Sequence, residues 1–243
     1  MEIGFSTIGF LLNNVELKAN DNIDFVDEVE VVFDLGVDSL PKLNKPIKIH
    51  APYFYTNLAS LSKRHLKFSL DEISRVLDFG FDTVVHEGGF TTRFDGYIEK
   101  SVKIMETSFE FLTSKYTNIV LENTTNSLFS NFEEFLDFFM NFNVNFCFDI
   151  SHYFIKEDKF NKPILLKDKY LERIRKVHIS DTVQGKDLHL PIGSGNVDFR
   201  LVQAFLKDLK DDVSVVIESI PRGSNVFDFY REEIDKLKEI IYG

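Results

Sequence analysis

The chain has 243 residues, and 28 lysines and arginines against 39 aspartates and glutamates give a formal net charge of −11. With 44 % hydrophobic and 28 % charged residues it is no disordered chain, and its length suits one barrel-sized unit, so a single domain over residues 1–243 is expected. The acidic balance disfavours non-specific nucleic-acid binding, and the single cysteine, Cys147, excludes an internal disulfide framework and a cysteine-built zinc site.

Short β-branched or aromatic runs alternate with longer amphipathic stretches along the chain. Strands are expected at residues 2–6, 29–33 and 47–50, with little room for a helix between the second and the third. A helix over 66–79 stops at Gly80, a natural C-cap, ahead of a strand at 83–86. A helix at 97–115 leads to a strand at 118–123. Ser130-Asn131 followed by Glu133-Glu134 then opens a helix at 132–142. Strands at 145–149, 176–180 and 214–218 follow, with helices at 198–209 and 225–241. Eight strands alternating with helices imply parallel βαβ units and an α/β fold, a (β/α)8 TIM barrel trimmed in its first two units. The 26 phenylalanines, with no tryptophan, are read as core packing. No apolar run approaches the roughly 18–20 residues of a membrane span, and the start Met1-Glu2-Ile3-Gly4 is unlike a signal peptide, so a cytoplasmic protein with no membrane partner is expected.

The ends of these strands carry the chemistry. His50, His86, Glu122, Asp149, His178 and Glu218 fall at the ends of the third to the eighth, and in a barrel those ends converge on one mouth. His152, Asp187 and His189 lie just beyond strand ends, which makes nine nitrogen or oxygen donors. Only His65, set among Lys63, Arg64 and Lys67, is left over and is read as a surface residue. A lone histidine or acid at a strand end is usually a hydrogen-bonded or capping residue; it is the joint placement that points to metal. Imidazoles and carboxylates without thiolates suit Zn²⁺, Mn²⁺, Fe²⁺ or Co²⁺. Since a catalytic zinc takes about three protein ligands, nine donors suggest two or three ions.

The segments Ile49-His50-Ala51-Pro52-Tyr53, Val85-His86-Glu87-Gly88, Val120-Leu121-Glu122-Asn123-Thr124, Phe148-Asp149-Ile150-Ser151-His152, Val177-His178-Ile179-Ser180-Asp181, Asp187 to Gly195 and Val216-Ile217-Glu218-Ser219 resemble the xylose isomerase-like TIM-barrel superfamily. That superfamily includes endonuclease IV (AP endonuclease family 2) and many sugar isomerases and epimerases. The likeness to the endonuclease IV branch holds at all nine donors. It implies a first zinc on His50, His86 and Glu122, a second on Glu122, Asp149, His178 and Glu218, and a third on His152, Asp187 and His189. It further implies hydrolysis of a phosphodiester at an abasic site in DNA. Glu122 and Glu218 are then the catalytic candidates, and Tyr53-Phe54 a pair that wedges into the minor groove. Asn123, Lys186 and Arg222 are further candidates for substrate contact, with Arg64 and Arg93 as scattered mouth cations.

Two departures favour another branch. The second-strand loop reads Phe33-Asp34-Leu35-Gly36-Val37-Asp38, with two acids and no arginine, and His86 is followed by Glu87-Gly88-Gly89 where the endonucleases carry Pro-Gly-Ser. The competing resemblance implies a metal-dependent isomerase or epimerase of a small sugar or sugar phosphate, using only Glu122, Asp149, His178 and Glu218.

Overall fold

The computed structural model describes residues 1–89, 97–223 and 225–243. Ten strands run in chain order: β1 (Glu2–Ser6), β2 (Glu28–Val32), β3 (Ile47–His50), β4 (Thr83–His86), β5 (Ile119–Glu122), β6 (Asn145–Asp149), β7 (Ile174–Ile179), β8 (Asp181–Val183), β9 (Lys186–Leu190) and β10 (Ser214–Ile217). Eight of them close into a parallel barrel in the order β1-β10-β7-β6-β5-β4-β3-β2, and β8 and β9 form a separate antiparallel hairpin.

Alternation along each strand divides its side chains between two environments. Ile3, Phe5, Val29, Val31, Ile49, Val85, Leu121, Phe146, Phe148, Val177 and Val215 belong to the large apolar core between barrel and helices. Their neighbours in sequence point into the barrel, where Val84, Val120 and Cys147 form a small apolar cluster of their own. The register places His86 beside Glu122, Val32 beside His50, and Asp149 beside His178, so the inward residues at the strand ends form one layer.

The helices are α1 (Ile8–Leu12), α2 (Lys63–Leu77), α3 (Tyr97–Thr113), α4 (Phe132–Phe139), α5 (Ile150–Glu157), α6 (Asp168–Leu171), α7 (Phe199–Lys207) and α8 (Val226–Tyr242). The barrel is trimmed where the sequence left no space: α1 has five residues, and residues 33–46 between β2 and β3 contain no helix. Asn131 accepts from the Glu134 backbone N–H at 2.9 Å and starts α4 at the expected place. The helix nevertheless ends at Phe139, three residues before the expected end.

Phenylalanines do build much of the core. Phe148 packs on Phe132 and Phe205 with ring centroids 5.0 and 4.7 Å apart, and Phe109 meets Phe139 at 4.8 Å. Each such ring, taken fully from water, contributes roughly 1.5–3 kcal/mol. Phe54, Phe68, Phe79, Phe81 and Phe111 remain exposed. Among the described residues no helix is long and apolar enough to cross a membrane.

Candidate metal centre

Glu122, at the end of β5, lies at the middle of the mouth and is 1 % exposed. Its Oε2 is 3.2 Å from His50 Nε2 and 3.0 Å from His86 Nε2, and its Oε1 is 3.4 Å from both His152 Nδ1 and His178 Nδ1. Around it the nine predicted donors sort into three sets: His50, His86 and Glu122; Glu122, Asp149, His178 and Glu218; and His152, Asp187 and His189. Within each set the donor atoms lie no more than 4.8 Å apart. Cys147 also approaches Glu122 and His178, although burial pushes its thiol up to about 12.

Local structure aims each side chain. Asp149 ends β6 and caps α5, its Oδ1 accepting from the His152 backbone N–H at 2.6 Å, while Oδ2 is free to face the cluster. His189 stands on β9 with φ +46°, a left-handed conformation uncommon for a non-glycine residue, and its Nε2 is 3.4 Å from Asp187 Oδ1. Backbone carbonyls fix three rings: His50 Nδ1 meets Ala51 O at 2.8 Å, His152 Nδ1 meets Asn123 O at 2.8 Å, and His189 Nδ1 meets Glu218 O at 3.2 Å. A carbonyl can only accept, so Nδ1 carries a proton in each ring, which leaves Nε2 as the nitrogen that would ligate an ion after losing its own proton.

Crowded carboxylates and imidazoles shift one another. Burial raises Asp149, and with Glu122 and Glu218 nearby it is pushed up to about 7. Burial works the same way on Glu122, yet His178 and His86 hold it well below the usual carboxylate range; His178 likewise lowers Glu218. Burial and its pairing with His152 leave Asp187 at about 2, the imidazole outweighing desolvation. The donor set fits divalent cations on an independent observation. Asp149 Oδ2 and His178 Nδ1 are buried without a hydrogen-bond partner, and an unpaired buried polar atom is costly unless something charged completes it.

The predicted substrate contacts divide. Tyr53 lines the cavity, its ring 5.0 Å from those of both His50 and His86, and Asp34 Oδ2 holds it by accepting from its backbone N–H at 2.8 Å. Phe54 stacks on Tyr53 at 4.4 Å and is 55 % exposed. Asn123 turns away from the cavity: its side-chain amide donates to Asp149 O at 3.0 Å and its Oδ1 accepts from Asp149 N–H at 2.8 Å, a latch between β5 and β6. Lys186 and Arg222 are exposed and do not line the cavity. Arg64 is exposed on α2, and Arg93 lies outside the described residues. His65 is more than a surface residue: its ring meets Tyr55 O at 2.9 Å and Ser60 Oγ at 3.2 Å, bracing the loop that carries Tyr53.

Several site residues escape a reading of the sequence. Gly88 and Gly89 allow Asn57 and Asn126 to close over the end of β4, since a Cβ on either glycine would lie 2.4 Å from the asparagine side chain. Buried Glu87, pushed by desolvation up to about 7, accepts from Thr124 Oγ1 at 3.3 Å. Glu30 on β2 contacts His178 from below. It is easily missed because alternating Glu28-Val29-Glu30-Val31 looks like a strand with one wet face, whereas a barrel covers both.

These residues surround a cavity of about 290 Å³. Beyond the donors its wall is uncharged, with Thr56, Asn57, Thr124, Thr125 and Asn126 beside the apolar Ile8 and Val32, and no lysine or arginine among the described lining residues. Known proteins share this fold. The family described as xylose isomerase-like TIM barrel matches residues 3–240. A probable endonuclease 4 of Metamycoplasma arthritidis is 27 % identical over 225 residues, covering 82 % of this chain and 80 % of its own. Among solved structures, a D-tagatose 3-epimerase-like protein superposes with a TM-score of 0.75 at 22 % identity, over 99 % of this chain and 97 % of the other. Endonuclease IV from Thermus thermophilus does so with 0.60 at 19 %, again over 99 % and 97 %. At these identities the structural likenesses show the fold.

Proposed function

The chain belongs to the xylose isomerase-like TIM-barrel family, and from that premise we propose that it is a divalent-metal-dependent phosphoester hydrolase whose mouth holds up to three ions. The observation that carries this reading is the division of nine donors into three sets around Glu122. An isomerase of this family would need Glu122, Asp149, His178 and Glu218. The other five donors, four imidazoles and a carboxylate, would then face one cavity with no ion to hold.

His50, His86 and Glu122 would hold one ion, Glu122, Asp149, His178 and Glu218 a second, and His152, Asp187 and His189 a third; Zn²⁺ suits these ligands, as do Mn²⁺, Fe²⁺ and Co²⁺. Such ions, when bound, neutralise phosphoester oxygens and acidify water. The chain's own residues do the rest. Tyr53 packs against His50 and His86 and would steady both rings against the substrate. Glu122 keeps its carboxylate ionised, the form that would be shared between two ions and orient an attacking water. Thr124 and Asn126 offer hydroxyl and amide groups to orient the ester.

The test is cleavage of an abasic-site oligonucleotide and of a simple aryl phosphodiester with Zn²⁺, Mn²⁺ or Co²⁺. Hydrolysis of either supports the reading, and cleavage at the abasic site identifies DNA as the substrate. If both stay intact with all three ions, the reading fails. The absence of lysine and arginine from the described wall favours one alternative, epimerisation of a small sugar or sugar phosphate, which exchange of a substrate C–H proton with deuterated water would reveal.

A further inference from the structure

One ring of the cluster is mounted the opposite way to three of the others. His50, His152 and His189 are fixed by backbone carbonyls at Nδ1. His178 is reversed: its Nε2 faces the two Glu30 carboxylate oxygens at 3.1 and 3.3 Å, and its Nδ1 points to the cluster, 3.4 Å from Glu122 Oε1 and 3.3 Å from Glu218 Oε2.

Glu30 reaches His178 from β2 across the barrel interior, since β1 and β10 stand between β2 and β7. Gly4 and Ser6 on β1 and Ser214 on β10 are small inward residues that leave it room, with Val216 of β10 inward and level with His178. Glu30 is fully buried, and Lys176, two residues before His178 on the same face of β7 and 2 % exposed, holds its Oε2. Lys176 in turn lies under the electrostatic influence of Glu28, which accepts a hydrogen bond from Ser214 Oγ.

We propose that Glu30, anchored by Lys176, is a positioning residue that fixes His178 with Nε2–H donated downward and Nδ1 presented to the ion shared by Glu122, Asp149 and Glu218. The inference rests on the metal-centre reading above. A carboxylate behind a metal-binding imidazole sets both its orientation and its basicity, and loss of such a partner commonly weakens metal binding about 10–100-fold. A backbone carbonyl cannot be removed by mutation, but Glu30 can.

The experiment is a Co²⁺ titration followed by the visible ligand-field bands, on the full chain and two paired variants. Lys176→Met with Glu30→Leu removes the ion pair as a unit, so neither of its members is left unpaired, and buried Glu28 keeps its hydrogen bond from Ser214 Oγ while losing the lysine's charge. Lys176→Met with Glu30→Gln keeps an oxygen to accept from His178. We expect one Co²⁺ equivalent to bind about 10–100-fold more weakly in the leucine pair with altered bands, and the glutamine pair to recover most of that loss. Equal Co²⁺ binding and spectra in all three proteins would overturn the inference alone, as would a glutamine pair no better than the leucine pair. A parent chain that binds no Co²⁺ would overturn the metal reading and this inference together. If the leucine pair does not fold, Glu30→Asp carries the test: it keeps the charge but shortens the reach, and an unchanged Co²⁺ spectrum overturns the proposal.

Discussion

Glu122 meets four histidines within 3.4 Å, more than any other carboxylate of the cluster, and both of its oxygens are used. A carboxylate shared by two donor sets should matter to two ions, whereas His152 belongs to one set. Glu122→Gln is therefore expected to lower bound metal by more than His152→Ala, and elemental analysis of metal-replete protein checks it. Equal losses would contradict a bridging role. His65→Ala is the control: it should leave metal content alone while hydrogen exchange quickens in the loop carrying Tyr53, because both its ring nitrogens brace that loop. Asp149 shows how far one residue can be read from sequence. An acid after a strand is usually a helix cap, and here it is one, yet only Oδ1 caps while Oδ2 remains buried without a partner. Cap and ligand are not exclusive readings when a side chain has two oxygens.

The strands were legible because a barrel strand is a short apolar run with a turn at each end, and residues 47–50, 83–86 and 145–149 fall where expected. The missing helix between β2 and β3 was legible from chain length alone. α1 and α6 escaped because five and four residues cannot show a helical period, and the β8–β9 hairpin because its strands are only three and five residues long. That hairpin places Asp187 and His189, so the element least visible in sequence carries two of the nine donors. Direction across a strand was the other hidden quantity. β1 and β2 show why it matters: a Cβ on Gly4 would lie 2.7 Å from Glu28 O and 2.9 Å from Glu28 Cγ. Gly4→Ala should thus destabilise the protein by about 1–3 kcal/mol, the usual cost of overpacking, as measured by denaturant unfolding. A stability equal to the parent's would mean that β1 and β2 can separate without harm.

Across the whole molecule, the barrel interior exchanges apolar filling for charge. Glu28, Glu30, Glu122, Asp149 and Glu218 are all buried there, and Lys176 is the lysine that answers them. Such an interior is stable only when protons or cations balance the carboxylates. In the metal-free protein the protons do so: burial together with neighbouring carboxylates pushes Asp149 up to about 7, and surrounding acids overcome the opposing effect of burial to hold His152 and His178 protonated well above the usual histidine value. A metal must displace these protons, so binding releases them and tightens as pH rises. An ion bound only to the folded state adds stability by mass action, about 2.7 kcal/mol at a hundred times its dissociation constant. Removing metal with a chelator should therefore lower the melting temperature more at pH 8 than at pH 6, where protons already occupy Asp149, His152 and His178. Differential scanning calorimetry of the two forms at both pH values checks this. A melting-temperature drop that is the same at pH 6 and pH 8 would mean that metal and protons do not compete for these donors, and that the barrel balances its buried carboxylates in some other way.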